Sequence, residues 1–162
     1  MNKRIVLCGA AASGKDFLRK KLESKNFKYA VSYTTRPKRE GEVDGIDYFF
    51  IDDDKASEMI ERGEFYEYVT FNGWIYGTSV EQWHQTHDES VFIMTPGGIS
   101  KITEEDRKEC FIIYLDTRID IRRNRLENRL MPGDSLERRI QADEQDFDNF
   151  KDYDIRITNP DF

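Results

Sequence analysis

The residues with the plainest chemistry are Gly9-Ala10-Ala11-Ala12-Ser13-Gly14-Lys15-Asp16. They lie between an apolar run, Ile5-Val6-Leu7-Cys8, and a stretch where Phe17, Leu18 and Leu22 alternate with charges. That order reads as strand, glycine-bounded loop and helix, and its chemistry is phosphate binding. Successive backbone N–H groups of such a loop point inward, and the helix adds the positive end of its dipole. Lys15 at the mouth reaches the outer phosphates of a nucleoside triphosphate. An alanine methyl still lets the backbone approach a phosphate, while Gly9 and Gly14 are expected to take the turns that a Cβ obstructs. The letters alone are weak; their place between a strand and a helix makes them specific. The hydroxyl residue that commonly follows the lysine and holds magnesium is Asp16 here.

Two groups of cations ask for an anion in a chain of net charge −7. Arg36, Lys38 and Arg39 fall in the run 32–45, whose proline and glycines are loop chemistry. Arg122, Arg123, Arg125, Arg129, Arg138 and Arg139 are interrupted by Met131-Pro132-Gly133, which reads as two basic helix ends joined by a breaker, a mobile flap. Solvated charge would account for either group alone. A phosphate cradle in the same chain gives both a ligand to meet. His84 and His87 have no cysteine or third histidine beside them and read as helix surface. Cys8 and Cys110 sit in apolar runs and read as buried, reduced thiols. The acidic balance speaks against a nucleic-acid or anionic membrane surface. No apolar run approaches the roughly 18 residues of a membrane span, and the first residues lead into a strand instead of a signal peptide. The chain is expected in the cytoplasm, with small molecules as partners.

The elements that must position these groups follow from periodicity. The 162 residues suit one domain with a single sizeable core. The phosphate loop feeds a helix ending near Ser24, and 27–31 reads as a second strand. A strand at 47–51 precedes a short helix opened by Asp52-Asp53-Asp54 and closed at Gly63. Residues 64–72 and 73–78 form a hairpin, because Asn72-Gly73 is a type I′ turn signal. The runs 91–95 and 110–115 lack polar alternation and read as strands buried on both faces. A last helix over 135–150 carries Leu136, Ile140, Phe147 and Phe150 on one side, before a closing strand at 153–158. Strands alternating with helices predict an α/β fold with a parallel sheet, its ligands at the carboxyl ends of the strands.

Three segments carry a family resemblance: Val31-Ser32-Tyr33-Thr34-Thr35-Arg36-Pro37, then Gly41-Glu42-Val43-Asp44-Gly45-Ile46-Asp47-Tyr48, then Tyr76-Gly77-Thr78-Ser79. They resemble the GMP-binding segment of guanylate kinases, and the likeness runs through nearly the whole chain in order. It implies a P-loop three-layer fold with a parallel sheet core, an inserted mixed-sheet subdomain that binds the nucleoside monophosphate, and a short lid. The implied boundaries are a core at 1–31, 79–124 and 140–162, an insert at 32–78 and a lid at 125–139. The implied activity is phosphoryl transfer from ATP to GMP or dGMP with Mg2+.

The resemblance also implies roles. Ser32, Arg36, Arg39 and Tyr48, with Tyr76, hold the acceptor monophosphate, while Glu67 and Thr78 read guanine. A carboxylate suits the paired N1–H and N2–H donors of guanine and repels the acceptor at N1 of adenine. Gly9, Ala10, Ala11, Ala12, Ser13, Gly14, Lys15 and Asp16 bind ATP, with Asn159 near the adenine. Lys15, Arg36, Arg125, Arg129 and Arg139 are the candidate catalytic residues, and Asp16 is the candidate magnesium ligand.

Two departures bear on these roles. Family members commonly carry a pair of aspartates, one for magnesium and one for the guanine amino group, at the strand tip that reads Ile93-Met94-Thr95-Pro96 here. Their loss leaves base selection resting on Glu67. An unscreened Asp16 carboxylate roughly 5 Å from a phosphate oxygen would cost about 3 kcal/mol at an effective dielectric near 20. Asp16 is therefore expected to meet a cation or turn away. Two other readings stay open: a kinase of another nucleoside monophosphate or a sugar phosphate, and a catalytically silent interaction module.

Overall fold

A computed structural model describes residues 4–85, 89–129, 135–159 and 161. The chain begins with β1 (Arg4–Gly9), α1 (Lys15–Glu23), β2 (Lys28–Tyr29), β3 (Tyr33–Thr34) and β4 (Phe49–Phe50). It continues through α2 (Asp53–Glu61), β5 (Phe65–Phe71), β6 (Trp74–Ser79), α3 (Val80–Gln85) and β7 (Ser90–Ile93). Then come α4 (Pro96–Ile99), α5 (Glu104–Arg107), β8 (Cys110–Leu115), α6 (Ile119–Glu127), α7 (Leu136–Phe147) and β9 (Ile155–Ile157).

Five strands make a parallel sheet in the order β2-β7-β1-β8-β9. The phosphate loop leaves the carboxyl end of the central strand, where ligands of such sheets collect. The two apolar runs read as doubly buried strands are the neighbours of β1, with Val6 opposite Phe92 on one side and Ile112 on the other. Val6, Cys8, Phe92 and Ile112 pack on one face against Trp83, while Leu7, Val91 and Leu115 meet Leu18 and Leu22 of α1 on the other. Burial of each large side chain stabilises by about 2 kcal/mol. Cys8 and Cys110 are buried free thiols in this core.

A second, mixed sheet in the order β4-β3-β6-β5 forms the insert. Its hairpin turns at Asn72 and Gly73, with φ of +52° and +84°, the backbone of a type I′ turn. The hairpin register sets Glu67 opposite Thr78. Asp52 caps α2 by accepting the Lys55 N–H at 2.7 Å. The expected strands at 27–31 and 47–51 are only two residues each. Two single-turn helices, α4 and α5, are not visible as periodicity; each is started by a threonine cap, Thr95 and Thr103. Met131-Pro132-Gly133 and His87 lie outside the described residues. No helix among the described residues is long and apolar enough to cross a membrane.

Candidate active site

A cavity of about 730 Å³ opens between the phosphate loop, the insert, and helices α6 and α7. At the loop, Gly9 is needed for space more than for its dihedrals. A Cβ there would collide with Ser13 Oγ and stand 2.8 Å from the Leu115 carbonyl oxygen. Gly14 does take a left-handed turn, with φ of +103°. Ala12 takes another at +61°, at a cost that a glycine would not carry. Lys15 donates from Nζ to the Gly9 carbonyl and, at 3.2 Å, to the Ala10 carbonyl. Burial lowers its pKa, and the Asp143 carboxylate works in the opposite direction. Asp16 meets a cation, as its charge demanded: Oδ1 accepts from Arg19 Nε at 3.2 Å.

Helix α7 contributes two carboxylates that periodicity assigns to no more than a core helix. Asp143 is 3% exposed, accepts the Ala11 N–H at 3.1 Å and lies 3.6 Å from Arg122. Its pKa is raised by burial. Asp146 lines the same cavity; burial and then the Asp143 charge push its carboxyl up to about 6. Oδ2 of Asp146 is buried with no hydrogen-bond partner among the described residues. The signal was present. Leu136, Ile140 and Phe147 leave position 143 on the stripe that should be apolar, and an acid there needs a partner.

The insert supplies the opposite wall. Arg36 is 3% exposed, and its fork donates to Glu42 Oε1 at 2.9 Å and Oε2 at 2.8 Å and to the Pro37 carbonyl at 2.9 Å. The Arg36 side chain also hydrogen-bonds the Tyr76 phenol, so a ligand would meet a fork partly committed to Glu42, Pro37 and Tyr76. Burial works against its charge, but the Glu42 pair holds its pKa up. Glu42 Oε1 also accepts the Arg39 N–H at 2.7 Å, so one acid sets both arginines. Arg39 is pulled down to about 10 by burial and by the charges of Arg36, Arg139 and Arg129. Four guanidinium groups therefore share one region of the cavity. Lys38, counted with this anion site from the sequence, is exposed and outside the lining. Tyr48 and Tyr76 line the cavity beside the arginines, and burial raises both phenols, which keeps them neutral donors.

Deeper in, Glu67 is 4% exposed and accepts the Thr78 hydroxyl at 2.8 Å. Burial raises its carboxyl to about 7. Gly98 makes room for it, since a Cβ there would stand 2.6 Å from Oε2. Thr95, at the strand tip where the aspartates are missing, lines the cavity, yet its hydroxyl caps α4 by accepting the Gly98 N–H at 3.1 Å.

Of the residues singled out from sequence, the cavity brings together Gly9, Ala11, Ala12, Ser13, Gly14, Lys15, Asp16, Ser32, Arg36, Arg39, Tyr48, Glu67, Tyr76, Arg125, Arg129 and Arg139. Arg125 reaches back to the loop, donating to the Ala12 carbonyl at 2.9 Å. Of the residues given a binding or catalytic role three stand outside the lining, as do Lys38, Arg122, Arg123 and Arg138 of the two cationic groups. Ala10 faces a smaller cavity of about 240 Å³, Thr78 is buried behind Glu67, and Asn159 is exposed, accepting the Asp161 N–H at 3.0 Å. Asp116, which follows β8, is engaged by Arg156 at 2.8 Å. Sequence reasoning missed Glu42, Asp143 and Asp146, whose parts depend on the partners that folding brings to them.

Comparisons with known proteins agree on one family. The family model described as guanylate kinase matches residues 1–162. The chain is 33% identical to the guanylate kinase of Clostridioides difficile over 163 residues, covering 97% of this chain and 80% of that protein. It is likewise 33% identical to the guanylate kinase of a Bacillus cereus strain over 162 residues, 96% of this chain and 79% of the other. The fold resembles the crystal structure of guanylate kinase from Anaplasma phagocytophilum, with a TM-score of 0.76 at 22% identity over 99% of this chain and 78% of that one.

Proposed function

Because the chain belongs to the guanylate kinase family, we propose that it moves the γ-phosphoryl group of ATP onto the phosphate of GMP or dGMP, giving ADP and GDP or dGDP. The observation that carries the site assignment is the meeting of Arg36, Arg39, Arg129 and Arg139 in one cavity with Lys15 and the phosphate loop. Guanidinium groups crowded together raise one another's free energy, and a polyanion placed among them relieves it.

In this reading the acceptor phosphate is held by Arg36, by Arg39, and by the hydroxyls of Ser32, Tyr48 and Tyr76. Glu67 faces the guanine edge, and Thr78 behind it holds the carboxylate through its hydroxyl. The triphosphate lies on the loop N–H groups with Lys15, whose ammonium exchanges the Gly9 and Ala10 carbonyls for phosphate oxygens. An acceptor oxygen forms its bond to the γ-phosphorus as the bond to the bridging oxygen breaks and ADP leaves. No covalent enzyme intermediate is required. Catalysis consists of alignment and of neutralising charge on the equatorial oxygens, the part given to Lys15, Arg36, Arg125, Arg129 and Arg139. The arginines on either side of 130–134 also exclude water, which would otherwise take the phosphoryl group.

Magnesium binds oxygen ligands, keeps several waters and needs only one or two carboxylates beside the phosphates. The residues present fit it. Among the described residues no cluster of three metal-ligating groups exists, while Asp16 and Asp146, the latter with an unpartnered oxygen, both line the cavity. Asp16 is the residue that would hold the ion, with Asp146 as a second candidate, and the ion would supply neutralisation of phosphate charge. The compartment implied is the cytoplasm, and nucleotides are the partners.

The test is ADP formation from ATP and magnesium with each of GMP, dGMP, AMP, CMP and UMP. Turnover is expected with the two guanine nucleotides. Equal turnover with AMP would overturn the role given to Glu67, and ADP formation with none of them would overturn the enzymatic reading.

A further inference from the structure

Arg19 belongs to neither nucleotide pocket, yet it is a heavily paired cation between them. It is 2% exposed in the middle of α1. Its fork donates to three carboxylates: Asp16 at 3.2 Å, Glu23 at 2.9 Å and Asp47 at 3.0 Å. Its flat face lies 4.5 Å from the centre of the Tyr29 ring. Asp16 lies in the first turn of α1, directly after the phosphate loop. Asp47 belongs to the insert and precedes Tyr48.

The contacts continue past Asp47. Its Oδ2 accepts the Val43 N–H at 2.7 Å, and its carbonyl accepts the Tyr29 hydroxyl at 3.1 Å. Val43 follows Glu42, the acid that holds the Arg36 fork and the Arg39 N–H. An unbroken line of hydrogen bonds and chain thus runs from the triphosphate loop to the arginines of the acceptor pocket, with one side chain at its midpoint. A lysine could not make the same link, because an ammonium lacks the planar fork that spans separate acceptors.

We propose that Arg19 is a positioning residue that makes binding at the two nucleotide sites mutually dependent. Seating of phosphates on the loop fixes Asp16; Asp16 fixes Arg19; Arg19 fixes Asp47 and the 42–48 segment that aims Arg36 and Arg39. By thermodynamic linkage the acceptor tightens the donor by the same factor. Arg19 also neutralises Asp16, which faces the triphosphate. The inference rests on the assignment of the two sites made above.

The experiment is calorimetric titration of the full chain with GMP, with and without saturating ADP, a pair that lacks a γ-phosphoryl group and does not turn over. The wild-type protein is expected to bind GMP about fivefold or more tightly with ADP present, within the usual span of coupling between sites. In Arg19→Met the ratio falls to near one, and in Glu23→Gln, which weakens only the pairing with the end of α1, it stays at the wild-type value. Arg19→Lys, the milder change, also lowers the ratio, and it decides the matter should the methionine variant fail to fold. A wild-type ratio of one overturns the coupling, as does a full ratio in Arg19→Met or Arg19→Lys. A wild-type protein that binds ADP but no GMP overturns the acceptor assignment and the coupling with it.

Discussion

At the scale of single residues, the guanine-reading role proposed for Glu67 sets function against stability. Its carboxyl is raised from an ordinary 4.5 to about 7 by burial. Below pH 4.5 it is neutral in folded and unfolded chains alike and adds no cost. Between there and about 7 the unfolded chain releases a proton that the folded chain keeps, so stability falls as pH rises, by about 3 kcal/mol in all. Glu67→Gln keeps an acceptor for the Thr78 hydroxyl and removes the buried charge. Thermal melts should show it more stable than wild type at about pH 8 and no different at about pH 4, while kcat/KM for GMP drops roughly 100-fold or more. The ionised acid is also the form that accepts guanine N–H groups. The wild-type KM for GMP is therefore expected to fall between about pH 6 and about pH 8, and a flat profile would count against the base-reading role. Gly9→Ala makes a second residue-scale case. Its Cβ meets backbone at Leu115 as well as Ser13, so the loop must shift, and KM for ATP should rise roughly tenfold or more with KM for GMP little changed.

At the scale of elements, the hairpin of β5 and β6 does two jobs. Its register brings Glu67 and Thr78 together, and its tip reaches α7, where the Trp74 ring lies 6.0 Å from the Arg139 guanidinium and Gly73 approaches Arg138. A cation over an aromatic face gains about 0.5–2 kcal/mol. Trp74→Ala should lower kcat by about three- to thirtyfold with KM for ATP unchanged, and Trp74→Phe should restore most of the loss; steady-state kinetics decides. This hairpin was legible in the sequence because Asn72-Gly73 fixes turn and register locally. Helix α7 was legible as a helix but not as part of the site. Periodicity reports which residues face inward, whereas Asp143 gains its meaning from the Ala11 N–H 132 positions away. The same holds for Arg19, which reads as an ordinary charge until Asp47 is folded against it. The single-turn helices α4 and α5 are too short to show a period, and only their threonine caps foreshadow them.

At the scale of the molecule, an acidic chain gathers Lys15 and several arginines around one cavity and fixes Arg36 with an acid of its own. The parallel sheet, the insert and the cation-lined cavity could be anticipated because each rests on a local pattern: continuous apolar runs, a turn dipeptide, a glycine loop. Which acid holds which base could not, since pairs such as Arg19 with Asp47 join different elements. Long-range attraction of nucleotides to this cavity is screened by salt. KM for both substrates should rise several-fold between low and high ionic strength while the melting temperature moves little; insensitivity of both KM values would contradict the electrostatic account. The central claim is that the two nucleotides meet phosphate to phosphate between Lys15 and the arginines. Inhibition by a dinucleotide in which adenosine and guanosine are joined through a phosphate chain tests it most directly. The account predicts competition against both ATP and GMP, with affinity far above that of either nucleotide and lost in Arg36→Met; competition against only one substrate would contradict it.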